Sequence, residues 1–400
     1  MATTEPMANT VLTHFPLFEG GPFAKLLKPL RLAGEEHRHV RRRLGFAVLT
    51  TWVALAVLAA AQGLAIGPSW RKSMLLDAAM YARYLVALPL LILATPGLRR
   101  KLETIVHHFV EAGLVKEREK ETFFANINEM LRWRDSVAAA IVIVAWAVVK
   151  AVIFGFGTIS LADIADTWRV VETAGHRALS LAGWWQVAFC EPLYEIAMLQ
   201  LLYRLALWWR FLWKTSRLEL QLKAAHPDGA GGLAFLGMGL PAFQLSAFAV
   251  AASVAGTLAN LILWMGASFA SFKYAIVVVV GALVGLMAGP LVFFTRQLGS
   301  VKQRAVFSCG TLAIRQLRAF EEKWLGTSPL GAEEMLQDAD FSAVRDFNAT
   351  VTAVQNMKTL PFKLKELIQL AVASSLPFLP VAAIEIPLKD ILLQVFKLLK

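Results

Sequence analysis

The sequence predicts an all-α protein, a polytopic transmembrane helix bundle of six or seven spans with a small helical cytoplasmic cap. Three observations carry that reading. Of the 400 residues, 57% are hydrophobic and 17% charged, with a mean hydropathy of +0.56; soluble domains run at roughly 45–50% apolar and about 25% charged. Six runs reach the length of about 20 apolar residues that a helix needs to cross the hydrocarbon core. Lys and Arg concentrate in every second connection between those runs. No alternating strand pattern, long repeat or low-complexity tract competes with this picture.

The tail 1–43 carries 7 Lys and Arg and ends in Arg41, Arg42 and Arg43. Residues 44–97 form a first transmembrane hairpin from runs 44–66 and 75–97. Segment 98–136, with 8 basic residues, reads as two amphipathic helices parted near Gly113. Residues 137–206 form the second hairpin, from runs 137–157 and 182–206, and the connection 207–239 follows with 4 basic residues. Runs 240–266 and 273–297 make the third hairpin, 240–297. Segment 298–366, with 9 basic residues, reads as two or three amphipathic helices that join 98–136 in the cap. Run 367–386 contains Pro377 and Pro380 and either spans or re-enters; 387–400 is an amphipathic interfacial helix.

The other three connections, 67–74, 158–181 and 267–273, hold only 2, 2 and 1 basic residues. By the positive-inside rule the amino terminus is cytoplasmic. The net charge of +11 is therefore a topology signal and an attraction to anionic lipid headgroups, which are the expected partner; it is no nucleic-acid footprint. The first apolar run starts only after residue 43 and lacks a small-residue cleavage pattern, so no cleavable signal is expected. Cys190 and Cys309 suggest neither a disulfide framework nor a thiolate metal site, and no cofactor is expected.

Chemistry concentrates in two places. In the fourth run, Glu191 and Glu195 are one helical turn apart, beside the kink-prone Pro192. A carboxylate at that depth costs about 2.5–3.5 kcal/mol to insert and is usually paired or faces a cavity. Lys150 of the third run lies at the level of Glu191, both about 10–14 Å from the outer boundary. The expectation is a Lys150–Glu191 pair, with Glu195 unpartnered and the better candidate for an ion or proton pathway. The second place is the connection KAAHPDGAGGLAFLG, where His226, Pro227 and Asp228 lead into Gly229, Gly231 and Gly232. These residues make a tight turn and helix cap, or a site for an anion or metal ion. Gly281, Gly285 and Gly289 of the sixth run form a small-residue stripe for helix packing, with the Ala-rich fifth run as its facing surface or a second copy of the chain in a homo-oligomer. Asn260 is read as an interhelical hydrogen-bonder.

Four stretches resemble, in order and spacing, the signature segments of an uncharacterised bacterial multi-pass inner-membrane protein family with an HPD-x-AGG turn. They are residues 201–237, FEEKWLG at 320–326, residues 338–362, and the LPFLP-containing tail. The turn at His226 to Gly232 is the most specific of them. The family tends to have Pro-Thr before the His, where this chain has Ala224-Ala225. The resemblance implies the multi-pass topology and a bacterial inner-membrane location, and no activity. On the residues alone, a channel or transporter for ions or small solutes ranks first. A non-catalytic sensor, scaffold or assembly factor comes next. Third is an interfacial headgroup enzyme, which would need His226, Asp228 and Arg210, Lys214 or Arg217 to converge.

Overall fold

The computed structural model describes residues 17, 20–23, 37–161, 167–173, 176–324 and 339–385. The helices run α1 His39–Ala61, α2 Ala78–Glu111, α3 Glu117–Arg134, α4 Val137–Leu161, α5 over 181–215, α6 Ala234–Met265, α7 Phe269–Glu322, α8 Ala339–Gln355 and α9 Leu364–Ala382. Two short strands, β1 Val170–Thr173 and β2 His176–Leu179, form an antiparallel hairpin in register Val170 with Leu179. The hairpin lies at one end of the bundle, here the hairpin end. The glycine-rich connection 226–232 lies at the opposite, turn end.

Among the described residues, six helices are long and apolar enough to cross a membrane: α1, α2, α4, α6, α7 and α9. Rod α5 is not among them, because Gln186, Glu191, Glu195 and Arg204 interrupt its apolar sequence. It nonetheless packs along α4 and reaches from the hairpin to the turn end. The rims of the bundle follow the capping rules. Ser180 accepts the Gly183 amide at the start of α5, and Gly266 ends α6 with a left-handed φ of 68°.

Helix α6 is the axis. Of its most apolar window 56% is buried, against 17–39% for the other five apolar helices. Its buried face is made of Ala247, Ala251, Ala255, Gly256 and Ala259, which lets neighbours approach closely. At Gly256 a Cβ would collide with Ala82 of α2 and lie 3.2 Å from the Ala78 carbonyl oxygen. The small face thus receives α2 and α9, and the expected pairing with the glycine stripe of α7 does not occur. Gly281 and Gly285 are exposed, and a Cβ added at either would meet nothing within 4 Å among the described residues; at Gly289 an added Cβ would lie 2.8 Å from the Trp209 ring. The reason lies on the other side of α7, where Leu283 and Met287 are buried and turn the glycines outward.

Two expected boundaries shift, and the seventh run takes one of its two expected courses. The first cap helix is a direct continuation of α2 through Pro96, because Leu88, Leu91, Ala94, Leu98, Leu102, Ile105 and Phe109 keep one buried stripe in register. The turn at Gly113, with φ of 63°, is where the sequence places it. Likewise, α7 passes through a tight Gly289–Phe294 segment and runs on past residue 297 into the amphipathic stretch Thr295–Trp324 that α8 covers. The seventh run crosses the whole bundle instead of re-entering. At the turn end Gly237 N–H donates to the Pro361 carbonyl at 3.1 Å; at the hairpin end Glu385 accepts the Phe269 amide at 2.9 Å. Pro377 and Pro380 fall in a tight turn and a short terminal helix, where a missing N–H is tolerated. Segment 387–400 and most of the tail 1–43 lie outside the described residues.

At the turn end an aromatic core binds the cap to the bundle. Phe109 of α2 packs edge-on against Phe235 at 5.1 Å and lies 5.9 Å from Phe123 of α3 and 6.3 Å from Phe294 of α7. Phe123 in turn meets Phe211 of α5 at 5.8 Å. Such pairs add about 0.5–1.5 kcal/mol each beyond their burial.

Candidate functional site

A polar network runs from the hairpin end into the interior of the bundle. Its first node is Asp77, fully buried at the start of α2. Oδ1 caps the helix by accepting the amides of Ala79 and Met80 at 3.1 and 3.3 Å, and also accepts Asn260 Nδ2 at 2.7 Å. Oδ2 accepts Trp168 Nε1 at 3.0 Å and an Arg169 guanidinium nitrogen at 2.7 Å. One carboxylate thus ties α2, α6 and the loop before the hairpin. The Arg169 guanidinium also lies 4.5 Å from the Trp168 ring centroid, a cation–π contact.

From Arg169 the chain of hydrogen bonds continues inward. Arg169 Nε donates to Gln186 Oε1 at 2.9 Å, and Gln186 Nε2 donates to Glu191 Oε1 at 3.0 Å. The same oxygen accepts Arg83 and the Tyr84 hydroxyl, each at 3.0 Å. Arg83 reaches Thr257 of α6 at 3.4 Å, while its buried Nε has no acceptor among the described residues. One turn along α5, Glu195 pairs with Lys150 of α4.

This corrects the expected pairing. Lys150 binds Glu195, and Glu191 is held by Arg83, Tyr84 and Gln186. The physical reason is that α4 continues to Leu161, four residues past the expected boundary at 157, which sets Lys150 about 6 Å deeper, one helical turn, and at the level of Glu195. Helix α5 opens with a π-helical turn over Gln186–Cys190, immediately before Glu191. Of two further π-helical segments, Leu49–Val53 in α1 lies against it, and Tyr81–Ala87 in α2 lies against Leu49–Val53. Arg83 and Tyr84 sit on one of them, and Thr50 on the other accepts Trp185 Nε1 at its backbone carbonyl, 2.8 Å away. π-helical turns are rare and concentrate at functional sites; here three meet at one level.

Next to the two ion pairs is a cavity of about 430 Å³, within the roughly 300–1,000 Å³ of ligand pockets. Arg83, Lys150, Tyr194, Glu195, Ser253 and Thr257 line its polar end. The remaining lining is Leu, Val and Met from α5, α6 and α7.

The second sequence candidate is built differently. Asp228 Oδ1 accepts the amides of Ala230 and Gly232 at 2.8 and 3.1 Å, and Oδ2 accepts that of Ala234 at 3.0 Å. Burial pulls its carboxyl upward, but those three amides outweigh it and hold the acid below its ordinary value. His226 Nδ1 sits 2.9 Å from Asp228 Oδ1 and accepts the Asp228 amide at 3.3 Å. Gly229, Gly231 and Gly232 all have positive φ, at 68°, 65° and 97°. The Gly229 carbonyl accepts the Lys358 amide at 2.8 Å, and a Cβ on Gly231 would lie 3.0 Å from Met357 and 3.1 Å from Leu298. The amides that an anion would need are already directed at Asp228, so the connection is a turn and cap that docks the α8–α9 loop. Among the described residues no group of three or more His, Cys, Asp or Glu could hold a metal ion. Nor do the residues of an interfacial enzyme gather here. Arg210 and Lys214 are engaged by Glu129, and Arg217 lies over the Trp213 ring at 5.4 Å.

Asp77, Arg83, Tyr84, Arg169 and Gln186 escape the sequence reading. Arg83 alone left a legible signal, a charge inside the second apolar run. Asp77 and Arg169 look like loop residues, and π-helical turns leave no residue signature. No protein-family profile matches the chain, and neither does any curated protein or solved structure.

Proposed function

We propose that the protein is a transporter for ions or small solutes, with its binding site at the Lys150–Glu195 and Arg83–Glu191 pairs. The observation that carries this reading is the juxtaposition of two buried ion pairs with a cavity of ligand size, at the level where three π-helical segments meet. A purely structural ion pair has no need of an adjoining cavity, and charge within a membrane usually marks a pathway. The distribution of Lys and Arg supports a cytoplasmic turn end and amino terminus, with the anionic inner leaflet of a bacterial inner membrane against the basic segments.

The test is flux through proteoliposomes holding the full chain, against a panel of ions and small charged solutes. Flux of at least one should appear, and Glu195→Gln should abolish it while leaving folding intact, with Glu195→Asp retaining part. Absence of flux across the panel, or unchanged flux in Glu195→Gln, would refute the reading. A non-catalytic scaffold is the second reading, favoured by the exposed apolar residues Phe307, Leu312, Ile314 and Leu317 on the outer part of α7.

A further inference from the structure

The two ion pairs beside the cavity are not presented symmetrically. The Lys150 side chain is 52% exposed and its partner Glu195 7%; Arg83 is 22% exposed and its partner Glu191 5%. The carboxylates lie beneath the surface and the cations nearer to it, so an occupant at that end of the cavity, where Glu195 also lines the wall, meets the outward charge of Lys150 first. Arg83 also has spare donor capacity, with one guanidinium nitrogen on Glu191, one in a long contact to Thr257 and Nε without an acceptor among the described residues. The opposite end is wholly apolar. It runs along α5 from Met198 through Leu202 to Leu205, facing Leu286 and Met287 of α7. From Glu195 to Leu205 is about 15 Å along the helix. Helix α4 packs on α5 and leaves the Lys150 side chain half exposed, so it does not seal this side. The cavity is therefore cationic at one end, greasy at the other, and reachable between α4 and α7 from within a bilayer.

We infer that the cavity takes a single-chain anionic amphiphile, its acidic headgroup on Lys150 and Arg83 and its chain along Leu202, Leu205 and Met287. This rests on the transport reading above only for the direction of its use; occupancy stands apart from flux. A small inorganic anion would leave the apolar two-thirds of the lining unmatched. A cationic amphiphile would bring like charge to Lys150, at a cost that grows in low dielectric.

The test is equilibrium binding of radiolabelled dodecyl phosphate to the full chain in nanodiscs, with dodecyltrimethylammonium and inorganic phosphate as the other arms. Saturable binding is expected for the alkyl phosphate alone. Lys150→Gln should weaken it about ten-fold or more, the effect of losing one charge-assisted hydrogen bond, and Lys150→Arg should restore it. Because Lys150→Gln leaves Glu195 without its partner, Leu202→Trp is the second variant; it fills the apolar end, leaves both ion pairs in place, and should also weaken binding. Equal affinity for the cationic amphiphile, displacement by inorganic phosphate at similar concentration, or binding unchanged in both variants would overturn the inference. Alkyl phosphate binding without flux of any solute would refute the transport reading and leave this one standing. Flux of a small ion without alkyl phosphate binding would do the reverse.

Discussion

Substituting Asp77 tests whether the hairpin-end network holds the bundle together. The wild-type carboxylate accepts five hydrogen bonds, from Ala79, Met80, Asn260, Trp168 and Arg169. In Asp77→Asn the remaining carbonyl oxygen can still accept the two helix amides and Asn260. The new amide group then faces Trp168 Nε1 and the Arg169 guanidinium, which are donors only. Arg169 is 12% exposed and would be left without its carboxylate. Removing one partner of a buried pair costs about 3–5 kcal/mol, so Asp77→Asn should lose roughly that much despite its near-identical shape. Asp77→Ala should lose about 1 kcal/mol more, the worth of the helix cap. The assay is reversible denaturant unfolding of the purified protein in mild detergent, followed by circular dichroism. The double variant Asp77→Asn/Arg169→Gln should recover more than half of the loss, since the uncompensated charge is gone. Stability of Asp77→Asn within about 0.5 kcal/mol of wild type, the level of an ordinary surface change, would show that the ion pair contributes nothing and refute the reasoning.

Two other outcomes follow from geometry already described. Gly256→Ala should destabilise the bundle by about 1–3 kcal/mol, the usual cost of overpacking, because its Cβ meets Ala82 and the backbone of Ala78 and Ala79; Ala82→Gly in the same chain should recover most of it in the same unfolding assay. Hydrogen bonds from Lys214 and Arg210 push the Glu129 carboxyl down to about 2 from an ordinary value of 4.5. A depressed carboxyl stabilises the fold fully above 4.5 and loses that contribution as pH falls toward 2. The stability difference between wild type and Glu129→Gln should therefore be constant from neutral pH down to about 5 and shrink below it; a difference that grows on acidification would contradict the assignment.

Much of the architecture is legible in the sequence, because lipid imposes it one helix at a time. A run of about 20 apolar residues needs no partner to be recognised, and the Gly113 and Gly229–Gly232 turns carry their residue types openly. Asn260 as an interhelical donor and Asp228 as a cap are also readable. What the sequence hides is set by depth and azimuth. Lys150 matches Glu191 only if α4 ends at 157, and its four further residues, to Leu161, move the match by about one turn, to Glu195. The glycine stripe fails for a related reason: spacing places Gly281 and Gly285 on one face but does not say whether that face looks into the protein. Pro377 and Pro380 leave the course of the seventh run open in the sequence, and tertiary packing decides it.

Helix α7 gives the bundle a mechanical property. Leu283, Leu286 and Met287 form one wall of the cavity. Directly below, Trp209 braces the wall by donating to the Leu286 carbonyl at 2.8 Å and by touching Gly289. The tight Gly289–Phe294 segment follows, and then an unbroken helical run of 30 residues, Thr295–Trp324. Such a rod is about 45 Å long, so each degree of tilt at the segment above it moves the far end by about 0.8 Å. The wall of the cavity and the outer arm thus belong to one continuous helical run, joined through the segment that Trp209 braces.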